Sequence, residues 1–198
     1  MRKLLLLLII STTCIFAQSK IFLGAENLKR VYLGYEYNQF LGFFIKHSVF
    51  KQDMNLQQVE FNPYMNYSFS QALSFRINPY FGMRYDTDFY YLGARFSADW
   101  ARFRYFQLKT EFSPHYHSRD GYTTLFESQI RSFIFPSVGL ALGAKNKPEY
   151  NRVEKRIFGG LVIKDSHSQI EATISTPYNL DDTQLTRFNI SFQHAIDL

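Results

Sequence analysis

The chain has 198 residues, a formal net charge of +5 and many aromatic residues, with 21 phenylalanines and 14 tyrosines. Its weak basic balance, without a long run of lysine or arginine, argues against nucleic acid as a partner. The lone cysteine excludes an internal disulfide bond, and outside the first residues no apolar run approaches the roughly 20 residues of a membrane-spanning helix.

The first residues are typical of a secretory signal peptide. Arg2 and Lys3 precede an apolar run over residues 4–10, and Ala17 is a small residue followed by a polar one. A basic start, a short apolar core and a small residue at the cleavage point form an export signal. We therefore predict a signal peptide over residues 1–17, whose loss would lower the charge from +5 to +3.

Cys14 lies inside this predicted leader, so cleavage would leave an exported chain without cysteine. Lipidation of Cys14 stays open as an alternative, although Ser11 is not the apolar residue usual three positions before a lipidated cysteine. The remaining residues, 18–198, are short enough for one domain. We expect a single exported domain there.

Alternating segments follow the leader in close succession. The first three run near residues 21–25, 31–37 and 41–49, with mostly apolar residues at odd positions and mostly polar or small ones at even positions. Successive side chains of a strand point to opposite faces, so a period of two predicts β-strands.

The alternation is longest between Val59 and Tyr85, with a short reversal at residues 70–72. Ordinary strands have about 5–6 residues, whereas a tilted strand that crosses a bilayer needs about 9–11. Each arm of this hairpin is long enough to span. The motifs Asn62-Pro63-Tyr64 and Asn78-Pro79-Tyr80 recur within it, and we interpret them as bends, because proline removes a ladder hydrogen bond.

Seven further segments complete a count of about twelve strands, with ten as the next alternative. They run near residues 90–99, 106–116, 122–131, 138–142, 156–163, 169–174 and 187–198. We expect a turn at residues 100–102 and another at Pro136-Ser137, because the alternation is lost over residues 133–135. The predicted fold is all-β, a closed antiparallel up-and-down barrel that spans a membrane.

Ionised residues within the strands fall almost entirely on the polar face. A lysine on the lipid face at the bilayer midplane would cost about 2–4 kcal/mol, so a membrane would enforce this sorting. We predict that the following charges line the lumen, either as structural pairs or as a pore lining: Glu36, Lys46, Glu60, Arg76, Arg84, Arg95, Asp99, Lys109, Glu111, Glu127, Arg131, Arg156, Glu171 and Arg187.

Two soluble fold classes also show alternating apolar and polar residues, and they remain alternatives to the membrane barrel. A soluble periplasmic β-sandwich binding protein would have about seven or more short strands with one wet face. A lipocalin-like barrel would reverse the pattern and place the apolar face inside. Both are built from shorter strands than these, so we prefer the membrane barrel.

The last strand carries a further pattern, since Phe188, Ile190, Phe192, Ile196 and Leu198 share one apolar face. Together with the leader and the long alternating strands, it resembles small bacterial outer-membrane β-barrel proteins. The resemblance covers nearly the whole mature chain, and it implies that this strand is the signal read by the barrel-assembly machinery. The usual signal ends in phenylalanine, whereas this chain ends in leucine. The resemblance implies an outer-membrane location in a two-membrane bacterium and contact with outer-membrane lipids.

Two functions are consistent with such a barrel: a narrow, porin-like passive channel for small hydrophilic solutes, or a structural protein of the cell envelope. We expect Glu60 to lie beside Arg76 across the hairpin, where the pair would either line a pore or fill the lumen. An 8-stranded barrel is filled by side chains and 16–18 strands leave a channel, so about twelve lies between these cases. The predicted outer loops are all short, which argues against large adhesins and receptors.

Catalytic and metal sites have weaker support. A lipid-modifying acyl hydrolase would need serine and histidine on the same face, but His47 and Ser48 are adjacent in sequence, and His194 and Ser191 fall on opposite faces. His115 and His117 share a face near Asp120, yet a metal needs further ligands. We therefore assign no catalytic, cofactor or metal residues and expect no cofactor.

Overall fold

A computed structural model describes residues 19–27, 29–49, 57–85, 89–103, 105–146, 148–149, 152–153, 155–178 and 186–198. The predicted leader and Cys14 lie outside these ranges. The strands are β1 (Ser19–Glu26), β2 (Arg30–Tyr37), β3 (Leu41–Val49), β4 (Gln57–Ser68), β5 (Ser74–Arg84), β6 (Tyr90–Phe103), β7 (Phe106–His117), β8 (Gly121–Phe135), β9 (Val138–Lys145), β10 (Pro148–Glu149), β11 (Arg152–Val153), β12 (Arg156–Lys164), β13 (Ser168–Pro177) and β14 (Arg187–Asp197).

Twelve of these strands form one closed barrel, in which each strand pairs antiparallel with its neighbours in sequence. The exception is a two-stranded sheet of β10 and β11, inserted between β9 and β12. β1 and β14 close the barrel, with Ile21 opposite Ile196 and Ala25 opposite Phe192. Closure leaves the barrel without an open edge. The prediction of a closed up-and-down barrel with about twelve strands is confirmed, and the ten-stranded alternative is wrong.

The two strand faces differ sharply in chemistry. Outward residues are large and apolar, and Leu33, Ile45 and Phe61 are exposed by 51%, 43% and 47%. Inward residues include Glu60 and Asn62, which are almost fully buried. This orientation excludes the lipocalin-like arrangement, and barrel closure excludes the sandwich. No helix in the described ranges is long and apolar enough to cross a membrane.

Two irregularities correct the predicted strand ends. The turn expected at residues 100–102 is wrong, because β6 continues to Phe103 with a register shift between Asp99 and Ala101. β8 likewise continues to Phe135, with a shift between Phe133 and Phe135. A bulge inserts one extra residue into a strand, so the alternation slips while the strand continues.

The barrel has two distinct ends. The end that holds Ser19 and Leu198, here called the terminal end, has short turns at residues 38–40, 69–73, 136–137 and 165–167 and a further turn at Tyr105. The opposite end is called the far end. At the terminal end, Asp165 accepts hydrogen bonds from the amides of His167 (2.7 Å) and Ser168 (2.6 Å). These bonds hold the pKa of Asp165 below its usual value, because they favour the charged carboxylate.

Candidate functional site in the barrel lumen

A cavity of about 880 Å³ occupies the lumen on the terminal side of the barrel. It begins at the turn around Ser166 and reaches inward to Lys46, Glu60 and Arg95. Nine of the predicted lumen charges line it: Glu36, Lys46, Glu60, Arg76, Arg95, Asp99, Lys109, Glu111 and Arg131.

The other five predicted charges lie elsewhere on the inward face. Glu171 pairs with Arg131 Nη2 at 2.7 Å. Arg84 and Arg156 are 6% and 1% exposed in the far half. Glu127 and Arg187 are half-buried toward the far end of β8 and β14.

Side chains fill much of the far half of the lumen. Tyr91 and His115 are each 6% exposed, and Ser175 is 1% exposed. Arg156 donates to Ser175 through Nε at 3.2 Å to Oγ and through Nη2 at 2.8 Å to the carbonyl oxygen. Water reaches few of these groups, whereas the terminal half holds the cavity. The lumen therefore narrows from the terminal end toward the far end.

Arg95 is the centre of the layer at which the cavity ends. Its Nη2 donates to Glu60 Oε1 at 2.8 Å, and its Nη1 donates to Asn78 Oδ1 at 3.0 Å and to Asn62 Oδ1. The guanidinium also lies 4.1 Å from the centroid of the Tyr80 ring. Glu60 accepts a second bond from the Tyr91 hydroxyl at 2.5 Å. We call these six residues the Arg95 cluster.

The cluster corrects the expected contact between Glu60 and Arg76. In the β4–β5 register Glu60 lies opposite Gly82, and Arg76 lies opposite Asn66. Arg76 donates from Nε to Asn66 Oδ1 at 2.6 Å and lies 4.4 Å over the Tyr64 ring. Because Gly82 has no side chain, the Tyr91 ring packs over β5 at this position and its hydroxyl reaches Glu60 on β4.

The two Asn-Pro-Tyr motifs, interpreted from sequence only as bends, supply half of the Arg95 cluster. The β4–β5 ladder has no paired residues between Phe61 and Met65, where each proline removes a donor. The strands nevertheless continue, and Asn78 Nδ2 donates to the Pro63 carbonyl at 2.7 Å. Both asparagine side chains then accept from Arg95.

Inward tyrosines brace the wall by crossing glycines. Tyr64 packs on Gly42 and donates to Glu36 Oε2 at 2.8 Å. Tyr80 packs on Gly93 and bonds His115 Nδ1 at 2.8 Å through its hydroxyl. Each ring lies where a glycine Cβ would be, so the hydroxyl reaches the strand beyond. The inward glycines are the sequence signal, but only the strand register reveals the partners.

The histidines do not form a metal centre in the described part of the chain, where no group of three or more ligand side chains comes together. His117 Nδ1 lies 3.0 Å from Asp120 Oδ2, while His115 bonds Tyr80. One cross-strand pair was not predicted from the sequence: Ser168 Oγ lies 2.9 Å from His194 Nδ1. This pair lies at the terminal-end rim, where β13 and β14 place the two residues opposite each other.

The apolar residues of the last strand all face outward. Phe188, Ile190, Phe192, Ile196 and Leu198 are exposed by 63%, 45%, 39%, 41% and 52%. They form an apolar stripe beside the β1–β14 seam, interrupted by His194 between Phe192 and Ile196.

No family model and no curated protein matches this sequence. Solved structures of porins share the fold. A KdgM porin in complex with disordered oligogalacturonate aligns with a TM-score of 0.67 at 8% identity, covering 89% of this chain and 97% of the porin. A second KdgM porin structure aligns at 0.63 and 10% identity over the same shares. A NanC porin aligns at 0.53 and 8% identity, covering 91% and 100%.

Proposed function

We propose that this protein is an outer-membrane barrel that serves as a narrow passive channel for small hydrophilic solutes. The observation that carries the proposal is a closed barrel with an apolar exterior and a charged internal cavity of about 880 Å³. An exposed apolar band around a whole barrel is rare on soluble monomers. In a membrane, lipid would cover this band. The porin folds of the neighbouring structures support the same function.

The orientation follows from the position of the two chain ends. Bacterial barrels with an even strand number keep both termini in the periplasm, so the terminal end and its cavity would face the periplasm. The outward stripe on β14 would serve as the signal for the barrel-assembly machinery, after export directed by residues 1–17. Outer-membrane lipids would contact the apolar band.

The Arg95 cluster would form the constriction. Glu60 is 6% exposed and Asn62 3%, so solutes that pass this layer must be small or must displace Arg95. The layer mixes one guanidinium, one carboxylate and neutral groups, and it would therefore favour polar solutes over strongly charged ones. This arrangement accounts for a narrow channel rather than a wide pore.

Planar-bilayer recording of refolded protein tests the proposal. We expect small, discrete conductance steps in potassium chloride. Complete absence of steps, with protein that shows heat-modifiable gel migration, would favour the structural envelope role instead.

The Ser168–His194 pair gives a specific reason to test the enzyme alternative. It lies on the rim and could attack an acyl ester only if a third group oriented the histidine and donors stabilised the oxyanion. Incubation with phospholipid vesicles tests this directly: release of fatty acid that Ser168→Ala abolishes would support a hydrolase.

A further inference from the structure

Three aromatic rings form a patch on one wall of the cavity. Phe22, Tyr32 and Phe44, on β1, β2 and β3, all line the cavity and are half-buried. The Phe22 and Phe44 ring centroids are 5.8 Å apart, and so are those of Tyr32 and Phe44. We call these three residues the aromatic patch. It is an apolar surface in a cavity whose other lining residues are mostly polar or charged.

The wall fixes the patch in place. The Phe44 ring packs directly on Gly34, where a Cβ atom would lie only 2.2 Å from the nearest ring carbon. Tyr32 crosses Gly24 in the same way and donates from its hydroxyl to the Phe192 carbonyl at 3.3 Å. On the other side, Phe44 stacks with Tyr64 at 5.1 Å. Rings held this way are preorganised, so a ligand would not bear the cost of ordering them.

Other inward aromatic rings are covered, whereas the patch faces the cavity. Arg76 lies over Tyr64, and Arg95 lies over Tyr80. In the described part of the chain, no lysine or arginine side chain lies over the ring of Phe22, Tyr32 or Phe44.

The rest of the cavity offers neutral hydrogen-bonding groups and nearly balanced charge. Its lining includes seven lysines and arginines against five aspartates and glutamates. Several are already neutralised, as in the pairs of Arg95 with Glu60 at 2.8 Å and Lys20 with Asp197 at 3.1 Å. Gln107, Gln169 and Gln193 also line the cavity, and each amide both donates and accepts hydrogen bonds. This lining favours an uncharged, hydroxyl-rich ligand over a polyanion.

We infer that the aromatic patch is a binding site for an uncharged saccharide, whose C–H face packs on Phe44 and its neighbours while its hydroxyls bond the amides. A cavity of about 880 Å³ lies within the roughly 300–1,000 Å³ of small-ligand sites, which combine apolar walls with a few placed polar groups. The role of the saccharide as the transported solute rests on the proposed function. Its binding to the barrel can be measured independently of ion conductance.

Isothermal titration of the refolded barrel in detergent, with maltohexaose as the probe, tests the inference. Phe44→Leu keeps apolar volume and removes the ring, and we expect it to weaken binding about fivefold, the worth of one aromatic contact. Tyr32→Leu provides a second test if Phe44→Leu fails to fold. Phe158→Leu is the matched control, because that ring is inward and 6% exposed but does not line the cavity.

The outcomes separate the two proposals. If maltohexaose binding weakens in Phe44→Leu and persists in Phe158→Leu, the binding site is supported. Absence of conductance in bilayers would then contradict the proposed channel but not the binding site. The inference is overturned if maltohexaose does not bind, if both variants bind equally, or if hexagalacturonate binds and maltohexaose does not. A polyethylene glycol of similar mass should not compete.

Discussion

Arg95 offers the sharpest test of how the lumen is held together. Arg95→Met keeps most of the side-chain stem and removes the guanidinium from Glu60, Asn62 and Asn78. Glu60 is only 6% exposed, and it would keep the Tyr91 hydroxyl as a hydrogen-bond donor. Removal of one partner from a buried ion pair costs about 3–5 kcal/mol. We expect a loss near 3 kcal/mol in the free energy of unfolding, because Tyr91 still compensates part of the charge.

Urea unfolding of the barrel in lipid vesicles measures this loss. Trp100 is the single tryptophan and is 53% exposed on the outside, so its fluorescence reports whether the barrel leaves the bilayer. Arg76→Met is the matched control, since Arg76 has an amide partner and a tyrosine ring and should cost only about 1 kcal/mol.

A second substitution isolates the charge itself. Glu60→Gln in the Arg95→Met background removes the uncompensated carboxylate, so we expect it to recover at least half of the lost stability. Equal losses in Arg95→Met and Arg76→Met, or no recovery in the double variant, would refute the role assigned to the buried pair.

Three further predictions concern the wall, the lipid face and a turn. Gly93→Ala should destabilise the barrel by about 1–3 kcal/mol, because the new Cβ would lie 2.5 Å from the Pro114 carbonyl oxygen. Gly159→Ala is the control: its Cβ would have its nearest contacts at 3.6 Å, so it should leave the stability unchanged in the same urea assay. Phe61→Lys should cost about 2–4 kcal/mol in vesicles but little in detergent micelles, which let the lysine reach water; equal losses would argue against lipid contact. Asp165 should stabilise its turn above its ordinary pKa of 3.8, and this contribution should vanish as the pH falls through its lowered pKa; a pH-independent difference between the wild type and Asp165→Ala would contradict this.

The strand faces could be predicted because lipid and lumen impose opposite demands on successive residues. A charge such as Glu60 or Arg95 can lie only inside, so the alternation identifies both faces and a strand number. Strand ends are predicted wrongly at bulges, as after Asp99 and Phe133, because one extra residue shifts the alternation without ending the strand.

The contacts of the lumen could not be predicted in the same way, because they depend on register and on reach across two strands. Glu60 and Arg76 lie on the same face, yet the register places them six residues apart along the hairpin. Arg95 reaches Glu60 from β6 across β5, where Asn78 is its register partner. Sequence patterns carry no direct record of such second-neighbour contacts.

Single-channel conductance of the wild type and of Glu60→Ala/Arg95→Ala tests the central claim most directly. We predict small steps for the wild type and several-fold larger steps for the double variant, whose constriction lacks both charged side chains. Steps of equal size would contradict the constriction, and the absence of steps from both correctly folded proteins would contradict the channel.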